Sequence, residues 1–266
     1  IFGKGGFPAM GVAGAAIASS VAEAVSLVFF IIYTGITADK RKYGFRRAFT
    51  FRPQLLKGML SISGWTMVQS FLSVSVWFIF FLAIEHLGER PLAVTNIVRN
   101  IAAMLIMIIS AFATTAGALI SNQIGAGEQR FLFKTCRMTL NLAYALLIPL
   151  LIVLCLFPEP ILRIFTDNPS LITASIPSVY VMATSTLISA PAFILFNAVS
   201  GTGNTRAGFV MEMITLAVYT AAVYYGVIVL KPDVALCWFS EHIYGIVLIS
   251  LTWWYLKSGR WRGKKV

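Results

Sequence analysis

Ile188-Ser-Ala-Pro-Ala-Phe-Ile-Leu-Phe-Asn-Ala-Val-Ser-Gly-Thr-Gly-Asn-Thr-Arg206 decides how this chain is read. It opens as an apolar helix with Pro191 inside it and closes in the turn Gly201-Thr-Gly-Asn-Thr-Arg206, after which another apolar run starts at once. Proline lacks the backbone N–H that would bond four residues back, so it bends a helix and frees a carbonyl. Within a bilayer such a break survives only where a neighbouring helix or water satisfies the freed group. The stretch predicts a bent membrane helix ending in a positively charged turn, with Pro191 as a hinge candidate.

The composition agrees. The chain is 58% hydrophobic and 12% charged, against about 25% charged in an ordinary soluble domain. Too little polar surface exists to cover a soluble fold of 266 residues. A net charge of +11 would point to nucleic acid in a soluble protein, but the basic residues here fall in short loops between apolar runs. Cys136, Cys155 and Cys237 show no CxxC spacing and read as small buried hydrophobes.

Crossing the hydrocarbon core takes about 20 apolar residues. Seven stretches suffice: 9–36, 58–84, 92–121, 131–157, 171–200, 207–230 and 234–256. None alternates with the period of two that a membrane β-strand needs. The predicted fold class is therefore all-α, a polytopic bundle of seven transmembrane helices. Counting alternate loops, Lys40, Arg41, Lys42, Arg46, Arg47, Arg52, Lys57, Arg130, Lys134, Arg137, Arg206 and five basic tail residues share one side. Lys4, Arg90, Arg163 and Lys231 take the other. The bias predicts a cytoplasmic C-terminus in an inner (plasma) membrane. Trp253, Trp254 and Trp261 are expected as interfacial anchors at that end. On the first span, Gly11, Ala15 and Ser19, and likewise Gly14, Ala18 and Ala22, stand four apart, a pattern that lets another helix approach closely.

No phosphate loop, HExxH helix, GxSxG elbow or Cys/His cluster occurs, so the sequence offers neither an enzyme nor a cofactor or metal site. Ionisable groups inside spans carry the information instead, because each costs a few kcal/mol at mid-bilayer and is usually paired, hydrated or functional. Glu241, followed by His242 and Tyr244, lies about eight residues into the last span, roughly 12 Å deep at 1.5 Å per residue. Glu212 sits six residues beyond Arg206, and Glu23 falls within the first span. Asn96, Arg99 and Asn100 share one face of the third span, and Gln69 adds a polar group to the second. These are the candidates for a coupling-ion or substrate pathway. The structural counterpart has Arg99 neutralising a glutamate to hold helices together; it is the favoured role for Glu212 and Glu23, and stands level with function for Glu241.

Three phrases carry a resemblance: Phe2-Gly-Lys-Gly-Gly-Phe-Pro-Ala-Met-Gly-Val-Ala-Gly-Ala-Ala-Ile-Ala18, Ile120-Ser-Asn-Gln-Ile-Gly-Ala-Gly-Glu128 and Ala198-Val-Ser-Gly-Thr-Gly-Asn-Thr-Arg206. In this order and spacing the chain resembles the multidrug and toxic compound extrusion (MATE) family over nearly its whole length. That family has twelve helices in two six-helix lobes. The resemblance implies that 1–36 is the sixth helix, 37–57 a basic cytoplasmic linker, 58–256 the second lobe and 257–266 a basic tail. Five helices of a first lobe are then expected upstream, and the chain reads as a fragment.

The resemblance further implies cation-coupled antiport of amphipathic, often cationic compounds by alternating access, with sodium or protons as coupling ion and no other cofactor. The coupling carboxylates used by one branch would fall near Val68 or Gln69 and near Ser189, none of them acidic. Another branch uses an aspartate on a first helix that this sequence does not contain. The coupling group is thus expected upstream, or at a residue such as Glu241 or Glu212. A lipid-linked oligosaccharide flippase of the same superfamily is the alternative, for which one Arg99 is thin support; a non-transporting scaffold would need no buried carboxylates.

Overall fold

The computed structural model describes residues 10–38 and 51–262. The phrase at Phe2 up to Ala9, residues 39–50 of the expected linker and the expected tail from Gly263 lie outside the described residues, as does the Ala15 side chain. Among the described residues the α-helices follow in the order α1 Gly11–Thr37, α2 Pro53–Glu85, α3 Glu89–Gly125, α4 Leu132–Leu156, α5 Pro158–Leu162, α6 Pro169–Gly201, α7 Thr205–Val223, α8 Val234–Cys237 and α9 Phe239–Lys257. No strand occurs among the described residues. Among the described residues, seven helical segments are long and apolar enough to cross a membrane. The chain is a multi-pass membrane protein.

The chain divides between Leu56 and Lys57 into two units. The first holds α1, on which Glu23 is exposed and Ser20 Oγ donates to the Ala16 carbonyl at 3.0 Å.

The second unit is built around α3 and α6, its most extensively packed helix pair. Ile101, Leu105, Ile109, Ala113, Ala116 and Ile120 recur every three or four residues and bury one face of α3. Val179, Met182, Thr186, Ala190, Ile194 and Ala198 do the same on α6. The pair runs parallel. At one end Arg90 Nη2 donates to Ser170 Oγ at 3.0 Å. At the other, a methyl group on Gly201 would stand 2.5 Å from the Gly117 carbonyl oxygen. Lipid tails are as apolar as leucine, so helices in a bilayer gain from close van der Waals contact, and glycine permits it here.

The ends of these helices follow their local chemistry. Asn168 caps α6, its side chain accepting from Ser170 N at 3.0 Å with Pro169 in the first turn. Gly127 and Gly203, at φ 77° and 78°, supply the left-handed residues that turn the chain out of α3 and α6. Asn204 caps α7 by accepting from Ala207 N at 3.3 Å, and its amide also donates to the Tyr255 hydroxyl of α9.

Four expectations need adjusting. The sixth span is α-helical only to Val223 and continues as a π-helical turn, Tyr224–Val229. The seventh is broken: α8 ends at Cys237, Trp238 forms a joint, and Ser240 Oγ donates to the Cys237 carbonyl at 2.8 Å. Glu241 therefore stands in the first turn of a new helix. Trp261 is not an exposed anchor, being 3% exposed with Nε1 donating to the Leu256 carbonyl at 2.9 Å; Trp253 and Trp254 are exposed. Cys136 and Cys237 are buried and Cys155 half-buried, all as free thiols.

Pro191 lies within an unbroken α6, together with Pro177. The Tyr144 hydroxyl of α4 donates at 2.7 Å to the Leu187 carbonyl, four residues before Pro191. A neighbouring helix thus satisfies the group that the proline frees.

Candidate ion and substrate pathway

Helices α7 and α9 run antiparallel and exchange partners. Glu212 and Tyr219 are seven residues apart on α7, two helical turns, and so share a face. Glu241 and Tyr244 are three apart on α9 and share another. The Tyr244 hydroxyl donates to Glu212 Oε1 at 2.9 Å, and the Tyr219 hydroxyl donates to Glu241 Oε1 at 2.8 Å. Each helix supplies one carboxylate and one phenol. Between them the two tyrosine rings meet edge to face with centroids 5.9 Å apart.

A third helix joins through Ser73 of α2, whose Oγ lies 2.7 Å from Glu212 Oε1 and 3.0 Å from the Gln69 carbonyl oxygen. A serine hydroxyl has one hydrogen to give, so these two acceptors compete for it. Glu212 itself is 2% exposed. Its second oxygen, Oε2, is buried without a hydrogen-bond partner. A buried carboxylate oxygen with nothing to accept from is a costly arrangement and a natural seat for a proton or a cation. Helix α6 touches the group too, because Phe193, just beyond Pro191, packs against Tyr244 with ring centroids 6.4 Å apart.

The other candidates lie apart from this cluster. Gln69 contributes its backbone carbonyl and is half-buried. Arg99 is not an ion-pair partner of any glutamate among the described residues. Its guanidinium lies over Trp77 and Phe81 of α2, 5.9 and 5.2 Å from their ring centroids, and its Nε is buried without a partner. Aromatic faces attract a cation without neutralising it, which explains how the charge is held with no acid beside it. Asn96 is half-buried and Asn100 exposed. Glu23, on α1, belongs to the other unit. Ser189 is half-buried and donates to the Ser185 carbonyl at 2.9 Å. No group of three or more His, Cys, Asp or Glu that could hold a metal ion occurs among the described residues.

Sequence reasoning passed over Ser73 and Tyr219. Tyr219 carried a usable signal, since it lies two turns from Glu212 on the same face. Ser73 carried none, because only the packing of α2 against α7 brings it to the carboxylate.

A family model described as MatE matches residues 66–225. The probable multidrug resistance protein NorM of Thermotoga maritima is 25% identical over 225 residues, covering 81% of this chain and 46% of that protein. An uncharacterized transporter of Bacillus subtilis, YisQ, is 25% identical over 224 residues, covering 81% and 47%. The Vibrio cholerae MATE transporter VcmN in its bent form superposes with a TM-score of 0.71 at 17% identity, covering 79% of this chain and 48% of that one. A MOP superfamily transporter from Pyrococcus furiosus gives 0.67 at 12%, covering 75% and 44%. The chain spans about half the length of these relatives. By the extent of the match to its model, the chain belongs to the MatE family, whose members are membrane transporters and not enzymes.

Proposed function

We propose that this chain is the sixth helix and second lobe of a cation-coupled exporter of amphipathic, often cationic compounds, working by alternating access in an inner (plasma) membrane with its C-terminus in the cytoplasm. Under this reading residues 37–57 link the lobes, and a first lobe of the same carrier is the partner the chain needs. The lipid bilayer and the exported small molecule are its other partners.

The observation that carries the proposal is Glu212, a carboxylate buried within a span and held by Ser73 of α2 and Tyr244 of α9, with Oε2 unpartnered. An antiporter needs a group that accepts the coupling ion or the substrate but not both at once, so that filling it with one releases the other. Glu212 meets that need, and Glu241, which accepts from Tyr219 of α7, is the second candidate. Sodium would be held by the oxygens of Glu212, Ser73 and Tyr244, and a proton by the carboxylate alone. Tyr244 also packs on Phe193, which sets a residue of α6 next to Pro191 against one of the donors to the carboxylate.

Ethidium efflux from cells tests the proposal. The full-length parent is expected to export the dye down to a low steady level, and the 266-residue chain at matched expression is expected not to. Robust export by the chain alone would remove the need for a first lobe. Within the parent, Glu241→Gln is expected to slow efflux more than Glu85→Gln, which lies at a helix end. Equal rates would remove Glu241 from the pathway.

A further inference from the structure

Arg130 and Lys134 approach one aromatic ring together. The Arg130 guanidinium carbon is 4.7 Å from the Phe131 ring centroid and the Lys134 ammonium nitrogen 5.9 Å from it. Both side chains are exposed. Neither forms an ion pair with a carboxylate among the described residues, although Glu128 lies two residues before Arg130. The ring steers the two cations without cancelling either charge, so they repel each other across it. What would stabilise them is an anion reaching both.

The surroundings say what kind of anion. Phe133, one residue before Lys134, meets Trp253 of α9 edge to face at 5.4 Å. Phe133 is 36% exposed, Trp253 49% and Trp254 59%. The Arg260 guanidinium lies over Trp254 at 5.1 Å. The beginning of α4 and the end of α9 thus form one seam at the same end of the spans. Large apolar rings there face outward beside uncompensated cations, the pattern of a surface that is half in hydrocarbon and half among headgroups. A free phosphate would use the cations and leave the rings exposed; a lipid uses both.

We propose that the α4–α9 seam is a binding site for an anionic phospholipid, whose headgroup phosphate bridges Arg130 and Lys134 while its chains lie along Phe133 and Trp253. The inference is independent of what the carrier exports. It assigns to the second unit a lipid that is a bound partner and not merely solvent.

Quenching of tryptophan fluorescence by brominated lipids tests it. The purified chain in bilayers is expected to be quenched more by brominated phosphatidylglycerol than by brominated phosphatidylcholine at equal mole fraction. Arg130→Gln/Lys134→Gln is expected to lower the relative affinity for the anionic lipid by about fivefold for each charge removed. Its quenching by phosphatidylcholine should stay unchanged, which reports an intact fold. Arg130→Lys is expected to keep most of the preference, and Lys231→Gln, between α7 and α8, all of it. Equal quenching of the unaltered chain by both lipids overturns the proposal, as does a preference that persists in the double variant. Inorganic phosphate in the buffer is the last arm: loss of the preference in its presence identifies a small-anion site and also overturns it.

Discussion

The Tyr144 hydroxyl and the Leu187 carbonyl are 2.7 Å apart, and that carbonyl is the one Pro191 leaves without its helical donor. In a bilayer no water stands by to replace a lost donor, so this bond between α4 and α6 holds the proline position together. Tyr144→Phe is expected to destabilise the chain by about 1 kcal/mol, the size of a typical net hydrogen bond. Pro191→Ala restores the backbone donor. In that background Tyr144→Phe should cost little, and thermal unfolding in detergent of the two single variants and the double variant measures the difference. Additive losses would mean that the tyrosine and the proline are not coupled.

Glycines along the spans should respond to a methyl group in a graded way. On Gly201 the added carbon would lie 2.5 Å from the Gly117 carbonyl, a backbone atom that cannot step aside. Gly201→Ala is therefore expected to cost about 1–3 kcal/mol by forcing α3 and α6 apart. On Gly245 the first atom met is Ile188 Cγ2 at 2.7 Å, a branch methyl with little rotamer freedom in a helix but not backbone, so the loss should be only somewhat smaller. Around Gly125 nothing lies within 4 Å, and alanine there should be neutral or slightly stabilising. The order of unfolding temperatures checks this series; a Gly125 variant less stable than the Gly201 variant would refute it.

The turn after α6 offers a test of local chemistry. Asn204 accepts from Ala207 N and reaches Tyr255 of α9, so one side chain both caps a helix and ties it to its neighbour. Asn204→Ala should cost about 1 kcal/mol for the cap alone, plus the contact to α9. Asn204→Asp keeps the cap acceptor and should recover roughly the first part. Proteolysis at the turn, faster in the alanine variant than in the aspartate variant, reads out the difference.

What could be read in the sequence was what depends on spacing along one helix. Apolar length set the seven spans, and the Gly201–Arg206 phrase marked the turn between α6 and α7 before any contact was known. Pro191 announced a freed carbonyl, but only packing could name Tyr144 as the group that meets it. Two breaks gave no usable sign: the joint at Trp238 has neither proline nor glycine, and Gly226 alone does not announce the π-helical turn Tyr224–Val229. Charge alone misled over Arg99. An arginine in a span seemed to ask for a carboxylate, whereas Trp77 and Phe81 of α2 hold it with their ring faces. Depth misled over Trp261, which turns back to its own helix and is buried.

The exchange of partners between α7 and α9 yields the sharpest functional test. Glu212 takes its phenol from α9, and Glu241 takes its phenol from α7. If each carboxylate works with its own tyrosine, Glu212→Gln and Tyr244→Phe should affect transport together, and Glu241→Gln with Tyr219→Phe likewise. In the full-length parent Glu212→Gln is expected to lower dye efflux about tenfold or more, because the charge that discriminates ion from substrate is gone. Tyr244→Phe removes only one of two donors to Glu212, with Ser73 remaining, so a loss of about two- to fivefold is expected. Once Glu212 is glutamine, Tyr244→Phe should add little, while Tyr219→Phe should add its full effect. Efflux rates for this set, at matched expression, separate two coupled pairs from one diffuse polar patch. A patch would make every pair of substitutions equally non-additive, whereas the crossed geometry confines the coupling to 212 with 244 and 219 with 241.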